Sequence, residues 1–346
     1  ILTQKGDDYE INKVKLKTSD SFHKIRLTNC LKVLLNEVSA FKDIINIVKK
    51  NTARLDQKKI QEKVCKVLIR SDQKEYFADY QKYFVQGESK DRHQGEPFYL
   101  KGKKDYPGII LSHGYKASPF EIKDLAIFLN NLGYHVYAVR LKGHGTSPIN
   151  LKYTEWEDWY VSYLKGYAFL KQKCSNIIAA GFSTGGLLAL LMAAEKNSQV
   201  KAIISINSAL KINDIKVNLV PGVHFWNELL DVFKAKKGKK EFIIDIPENP
   251  QINYAKNYLK GVYELKKLME KCRAGLSSIK APILIVQGKN DPVVNPKSGE
   301  IIFEGITSKE KQIYAPERNK HVIIVGEGQE EIFAHISKFL QDLKLT

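Results

Sequence analysis

The chain has 346 residues, of which 43% are apolar and 27% charged. That is the balance of a globular protein of one or two domains, and it excludes collagen-like, low-complexity and small disulfide-scaffold classes. Lys plus Arg outnumber Asp plus Glu by 55 to 38, a formal charge of +17, but the lysines are spread along the chain without an arginine-rich tract, so a solvated lysine surface is expected and a nucleic-acid partner is not.

Cys30, Cys65, Cys174 and Cys272 form no CxxC pair. Neither a disulfide framework nor a zinc site is expected, and a reducing, cytoplasmic setting fits. Residues Ile1 to Lys17 are polar and charged and do not resemble the core of a signal peptide. Up to about Gln94 the chain reads as helical. Apolar residues recur at helical spacing from Ile25 to Val48 and again from Ile60 to Phe84, and no Pro or Gly interrupts Asp7 to Val85. The polar stretch Gln86 to Gly95 serves as a linker. Residues 1–94 are therefore expected to form a helical N-terminal region, and 95–346 a second domain.

Beyond the linker the pattern alternates. Strands are expected at Pro97–Leu100, Gly108–Ser112, Tyr134–Val139, Ile177–Ala180, Ala202–Ile206, Ile283–Val286 and Lys311–Tyr314. Helices are expected at Phe120–Leu132, Thr154–Lys171, Leu187–Glu195, Pro296–Phe303 and Gln329–Leu343. Such alternation predicts an α/β fold with a mainly parallel sheet. The run Ile177 to Ala194 is nearly long enough to span a membrane, but Gly181-Phe-Ser-Thr-Gly-Gly186 divides it into a buried strand, a sharp turn and a buried helix. From about 210 to 280 the alternation breaks into irregular and helical pieces, including Phe225–Phe233 and Tyr254–Lys271. This is expected to be a cap inserted over the carboxyl ends of the strands, where open α/β sheets bind ligands.

Gly181-Phe182-Ser183-Thr184-Gly185 has the G-x-S-x-G form between a strand and a helix. A nucleophilic serine on a very tight turn requires small residues two positions before and after it, and the following helix offers amides to developing negative charge. The alternative is a glycine-rich turn with an incidental serine. Among the eight histidines, His321 follows the last strand and precedes the last helix, which places it at the carboxyl edge of the sheet. Asp291 follows the strand Ile283–Val286, completing the order Ser, Asp, His. It also suits a turn before Pro292, and Asp245 is a second choice of acid. The amides of Thr184 and Tyr115 are the candidate oxyanion donors, Tyr115 by way of the turn at His113-Gly114.

The motifs Leu111-Ser-His-Gly-Tyr115, Arg140-Leu-Lys-Gly-His-Gly-Thr-Ser147, Trp156-Glu-Asp-Trp159, Gly181-Phe-Ser-Thr-Gly-Gly186, Gln287-Gly-Lys-Asn-Asp-Pro292 and His321 resemble the α/β-hydrolase superfamily. The resemblance is strongest to bacterial carboxylesterases and monoacylglycerol lipases, and runs from about Pro97 onward. It implies an α/β-hydrolase fold with a cap and a triad of Ser183, Asp291 and His321, with the Tyr115 and Thr184 amides as oxyanion donors. It also implies an acyl-enzyme mechanism on a small-molecule acyl ester, with no metal and no cofactor. Two departures stand out. Asn319-Lys320 replaces the usual small residue beside the histidine, and the helical N-terminal region has no counterpart in the small esterases.

The insertion carries Val217, Leu219, Val220, Val223, Phe225, Trp226, Leu229, Leu230 and Phe233, which suit a medium or longer acyl chain as well as they suit packing. The basic run Lys234 to Lys240 suits either a solvated loop or peripheral contact with an anionic lipid surface. A thioesterase or acyltransferase on the same triad is the alternative activity, and a non-catalytic binding protein on the same fold a more distant one. Oligomeric state is left open.

Overall fold

A computed structural model describes residues 2–5, 8–11, 56–196, 198–213 and 241–345. The chain divides into two compact units, Ile1–Gln61 and Glu62–Thr346. In the first, Leu2–Lys5 (β1) and Asp8–Ile11 (β2) pair antiparallel. This differs from the helical reading of that stretch. The Gly6-Asp7 step between the strands is a two-residue hairpin signal of the Gly-x kind, which outweighs the absence of breakers after it. The helical pattern from Ile25 to Val48 lies outside the described residues.

Gln57–Tyr83 (α1) is the helical extension. In the second unit, its face at Asp72, Tyr76 and Asp79 repeats at helical spacing and packs on the sheet domain. Asp72 Oδ2 accepts the Tyr137 hydroxyl at 2.6 Å, and Asp79 pairs with the buried Arg140 at 2.8 Å. The buried Tyr76 ring carries its hydroxyl to the Gly145 carbonyl at 3.2 Å.

The sheet consists of Phe98–Leu100 (β3), Gly108–Ser112 (β4), His135–Val139 (β5), Ile177–Phe182 (β6), Ala202–Ile206 (β7), Ile283–Val286 (β10) and Lys311–Tyr314 (β11). Their order is β11-β10-β7-β6-β4-β5-β3, parallel throughout except that β3 runs antiparallel to β5. Strands β4, β5, β6, β7 and β10 are buried along their whole length. Helices cover both faces, which is why these strands read as unbroken apolar runs rather than alternating ones.

Successive strand residues feed two cores. Ile110, Ala179, Ile203 and Ile285 face the layer of Trp156–Leu170 (α4), Thr184–Glu195 (α5), Leu259–Gly275 (α6) and Lys297–Gly305 (α7). Leu111, Ala180, Ile204 and Leu284 face Lys123–Asn131 (α2) and Gln329–Asp342 (α8). The membrane-length run parts at Ser183 into β6 and α5, and among the described residues no helix is long and apolar enough to cross a membrane.

Three local features were not expected. A short helix, Pro148–Lys152 (α3), follows the Gly-His-Gly turn. Within the insertion Phe242–Ile244 (β8) and Lys256–Tyr258 (β9) pair antiparallel. Because β9 is extended, α6 starts at Leu259 rather than Tyr254. The expected apolar residues Val217 to Phe233 and the basic run Lys234 to Lys240 lie outside the described residues.

Candidate active site

Ser183 directly follows β6 and caps α5 with φ 54° and ψ −114°, a conformation that strains any residue with a Cβ. The turn is pinned from both sides. The Ser183 amide donates to the Ile206 carbonyl at 2.8 Å and the Gly185 amide to the His113 carbonyl at 3.1 Å. The flanking glycines follow from space alone. A Cβ on Gly181 would lie 2.2 Å from the Gly185 carbonyl carbon, and one on Gly185 would lie 2.3 Å from the Ser112 oxygen. The G-x-S-x-G pattern is thus the signature of a strand and helix brought too close for side chains at those two positions.

The structure brings Asp291 and His321 to this serine. His321 Nε2 is 3.0 Å from Ser183 Oγ, and His321 Nδ1 is 2.7 Å from Asp291 Oδ2. A carboxylate only accepts, so Nδ1 carries the proton in this pair and Nε2 is left to accept from the serine hydroxyl. Asp291 uses its other oxygen as well: Oδ1 accepts the amides of Val293 and Val294 at 2.8 and 2.9 Å. The turn-forming and histidine-binding arrangements therefore coexist in one buried carboxylate. Asp245, the second-choice acid, does not meet His321. It forms a two-oxygen ion pair with Lys116 at 2.7 and 2.8 Å.

The amides of Tyr115 and Thr184 have no acceptor among the described residues. Thr184 opens α5, where amides lack intrahelical partners and carry the positive end of the helix dipole. Tyr115 lies on the loop after β4. Its ring packs against Trp159, and its hydroxyl donates to Asn257 Oδ1 at 3.1 Å. The same loop is held by His113, whose Nδ1 lies 2.8 Å from the Gly114 carbonyl while its Nε2 accepts the Leu141 amide at 3.2 Å. Burial drives the His113 imidazole down to about 3 and His144 well below its ordinary range, so both stay neutral.

Three residues at the site escaped sequence reasoning. Glu121 is buried beside the same loop. Its Oε2 accepts the Gly114 amide at 2.8 Å, and burial raises its carboxyl to about 7 despite that bond. Asn207 leaves β7 with φ 41°, donates from Nδ2 to the His321 carbonyl at 2.8 Å and accepts the Gly288 amide at 2.8 Å. Glu248, between β8 and β9, accepts the amides of His321 and Val322. Only Asn207 carried a signal, since Asn tolerates positive φ just after a strand.

Ser183 and His321 open into a cavity of about 590 Å³. Ile212, Phe242, Ile244, Val262, Leu265 and Val293 supply an apolar wall, and Lys116, Glu121, Asp245, Glu248 and Asn253 a polar one.

The family model described as Hydrolase_4, serine aminopeptidase S33, matches residues 107–328. The chain is 32% identical over 244 residues to a thermostable monoacylglycerol lipase of Bacillus sp. (strain H-257), covering 70% of this chain and 93% of that protein. It is 26% identical over 249 residues to a carboxylesterase of Bacillus subtilis (strain 168), covering 72% and 97%. A solved structure from work on LipS and LipT, two metagenome-derived lipolytic enzymes, shares the fold with TM-score 0.63 at 24% identity, covering 75% of this chain and 99% of that one.

Proposed function

This chain belongs to the serine aminopeptidase S33 family, Hydrolase_4, and on that footing we propose that it hydrolyses carboxylic esters of medium or longer acyl chains through Ser183, His321 and Asp291. The observation that carries the reading is the continuous relay from Asp291 Oδ2 through His321 to Ser183 Oγ, at 2.7 and 3.0 Å. The names of the relatives, a monoacylglycerol lipase and a carboxylesterase, support an ester rather than a peptide substrate.

In this reading His321 Nε2 takes the hydroxyl proton as Ser183 Oγ attacks the ester carbonyl. The oxygen that becomes negative is met by the Tyr115 and Thr184 amides, whose lack of any other acceptor among the described residues favours that role. The imidazolium formed beside Asp291 returns its proton to the departing alcohol. Water then enters, gives a proton to His321 as its oxygen attacks the acyl carbon, and His321 passes that proton to Ser183 Oγ as the acid leaves. The insertion, about 210–280, acts as a cap that supplies the acyl wall, the helical region before about residue 94 is an accessory to the catalytic domain, and the part of α1 around Asp72 and Asp79 braces the sheet. Contact of Lys234 to Lys240 with an anionic lipid surface would appear as salt-sensitive activity on dispersed lipid but not on dissolved esters.

The acyl preference is supported by the apolar side of the cavity. Each buried methylene contributes about 0.8 kcal/mol, so the four that separate acetate from hexanoate correspond to about 3 kcal/mol, or roughly two orders of magnitude in kcat/KM. A series of p-nitrophenyl esters from acetate to decanoate tests this. A rise through hexanoate or beyond is expected, and equal kcat/KM on acetate and octanoate would remove the acyl-chain assignment.

A further inference from the structure

We propose that Glu248 is a positioning residue for His321, making the inserted segment between β8 and β9 a working part of the proton relay. The inference rests on the proposed roles of Ser183 and His321. The imidazole must satisfy two partners at once, Ser183 Oγ and Asp291 Oδ2, and its ring is placed by a loop without regular structure between β11 and α8. That loop is gripped at His321 itself. From the sheet side, Asn207 Nδ2 donates to the His321 carbonyl at 2.8 Å. From the insertion side, Glu248 Oε1 accepts the His321 amide at 2.6 Å and Oε2 the Val322 amide at 2.8 Å. A carboxylate receiving two consecutive amides makes a pair of charge-assisted bonds, stronger and shorter than neutral ones.

Glu248 is an exposed side chain, so an isolated carboxylate there would exchange these amides for water. The segment that carries it is, however, tied down at both ends. Asp245 takes the Lys116 ammonium with both oxygens, and the Tyr254 amide donates to the Lys116 carbonyl at 3.1 Å. The Tyr254 hydroxyl in turn accepts the Thr146 amide at 2.7 Å. Lys116 adjoins Tyr115, the proposed oxyanion donor. One stretch of the insertion thus holds the oxyanion loop with Asp245 and Tyr254 and the histidine loop with Glu248. Ile244 and Ile246, on the same stretch, face the cavity. The wall that meets substrate and the brace that sets His321 are therefore one segment.

The test compares Glu248→Gln and Glu248→Ala with the parent and with Ser183→Ala on p-nitrophenyl butyrate. Active sites are counted with a fluorophosphonate and melting temperatures recorded alongside. The amide of Gln keeps one acceptor for the His321 amide and turns a donor toward Val322, so a graded loss is expected. In Glu248→Ala, kcat per titrated site should fall about 10- to 100-fold, the scale of a reacting group displaced by less than about an ångström. Glu248→Gln should lie between it and the parent, and KM should stay within about threefold in both if the role is positioning alone. Unchanged kcat per titrated site overturns the proposal, including the case in which only the titre or the melting temperature drops. A raised KM at constant kcat also overturns it, since Glu248 would then be a substrate contact. Full activity in Ser183→Ala would instead overturn the underlying site, which separates the two failures.

Discussion

Replacing Asp291 by Asn isolates the orienting role of a single oxygen. Asp291 Oδ1 receives two backbone amides at 2.8 and 2.9 Å, and Oδ2 receives His321 Nδ1 at 2.7 Å. In the Asp291→Asn variant the new carbonyl oxygen is drawn to the two amides, because presenting an NH₂ there would set a third donor against the half-buried Val293 amide and the buried Val294 amide, at up to about 1–3 kcal/mol for each bond lost. The NH₂ then faces His321 Nδ1 and must donate to it. That forces the proton onto Nε2, which points at Ser183 Oγ 3.0 Å away, and the hydroxyl loses its proton acceptor. With the proposed triad roles, a histidine held in the wrong tautomer should lose about four orders of magnitude in kcat, equivalent to about 5 kcal/mol of transition-state stabilisation. The turn at Val293 and Val294 keeps its two bonds, so the melting temperature should hardly move, whereas Asp291→Ala should lower both. Ester turnover and thermal melting of the two variants decide the matter. More than a tenth of the parent kcat in a folded Asp291→Asn protein would refute the reasoning.

Three further outcomes follow from the same structure. Gly185→Ala places a Cβ 2.3 Å from the Ser112 carbonyl oxygen, a backbone atom that cannot rotate away, and should cost about 1–3 kcal/mol in urea unfolding together with most of the activity; parent-like stability would show that the turn has room. Burial holds the Glu121 proton up to about 7 in the fold, against 4.5 when unfolded, so the folded state binds the extra proton between those values. Its contribution is full below about 4.5 and is lost as pH rises through 7, so Glu121→Gln should gain on the parent by up to about 3 kcal/mol from pH 5 to pH 8; a difference that does not change with pH would contradict the burial argument. Asp79→Ala leaves the buried Arg140 guanidinium with the His144 carbonyl, Asn150 Oδ1 and the more distant Glu75 carboxylate but without its direct ion pair, and should destabilise by about 3 kcal/mol in denaturant titration; an unchanged midpoint would mean that α1 adds nothing through this pair.

Much of the fold was legible because its rules are local. Strands buried on both faces must be apolar from end to end, so β4, β6, β7 and β10 stand out, and Ala202–Ile206 and Ile283–Val286 appear at their full extent. The elbow was legible because two steric conflicts demand glycine at fixed offsets from Ser183. The loops of Asp291 and His321 were legible from chain order alone, since each follows a strand at the carboxyl edge of a parallel sheet.

What was missed depends on contacts distant in sequence. Phe242–Ile244 is three residues of half-exposed ribbon whose pairing with Lys256–Tyr258 has no periodic signal. Glu121 and Glu248 look like ordinary surface carboxylates; one is buried by the insertion through Asn253, and the other meets an amide pair 73 residues away. The helix Pro148–Lys152 did carry a signal, Ser147 followed by Pro at the first helical position, which is a preferred start.

The most direct measurement of the central claim is mass spectrometry of the protein after reaction with a fluorophosphonate. Attack by an activated serine leaves a stable phosphonyl group on the nucleophile, and fragmentation of the labelled peptide identifies the residue. The account predicts one equivalent of label on Ser183, absent from Ser183→Ala and strongly slowed in Asp291→Asn. Label on a different residue, or a folded parent protein that takes up none, would contradict it.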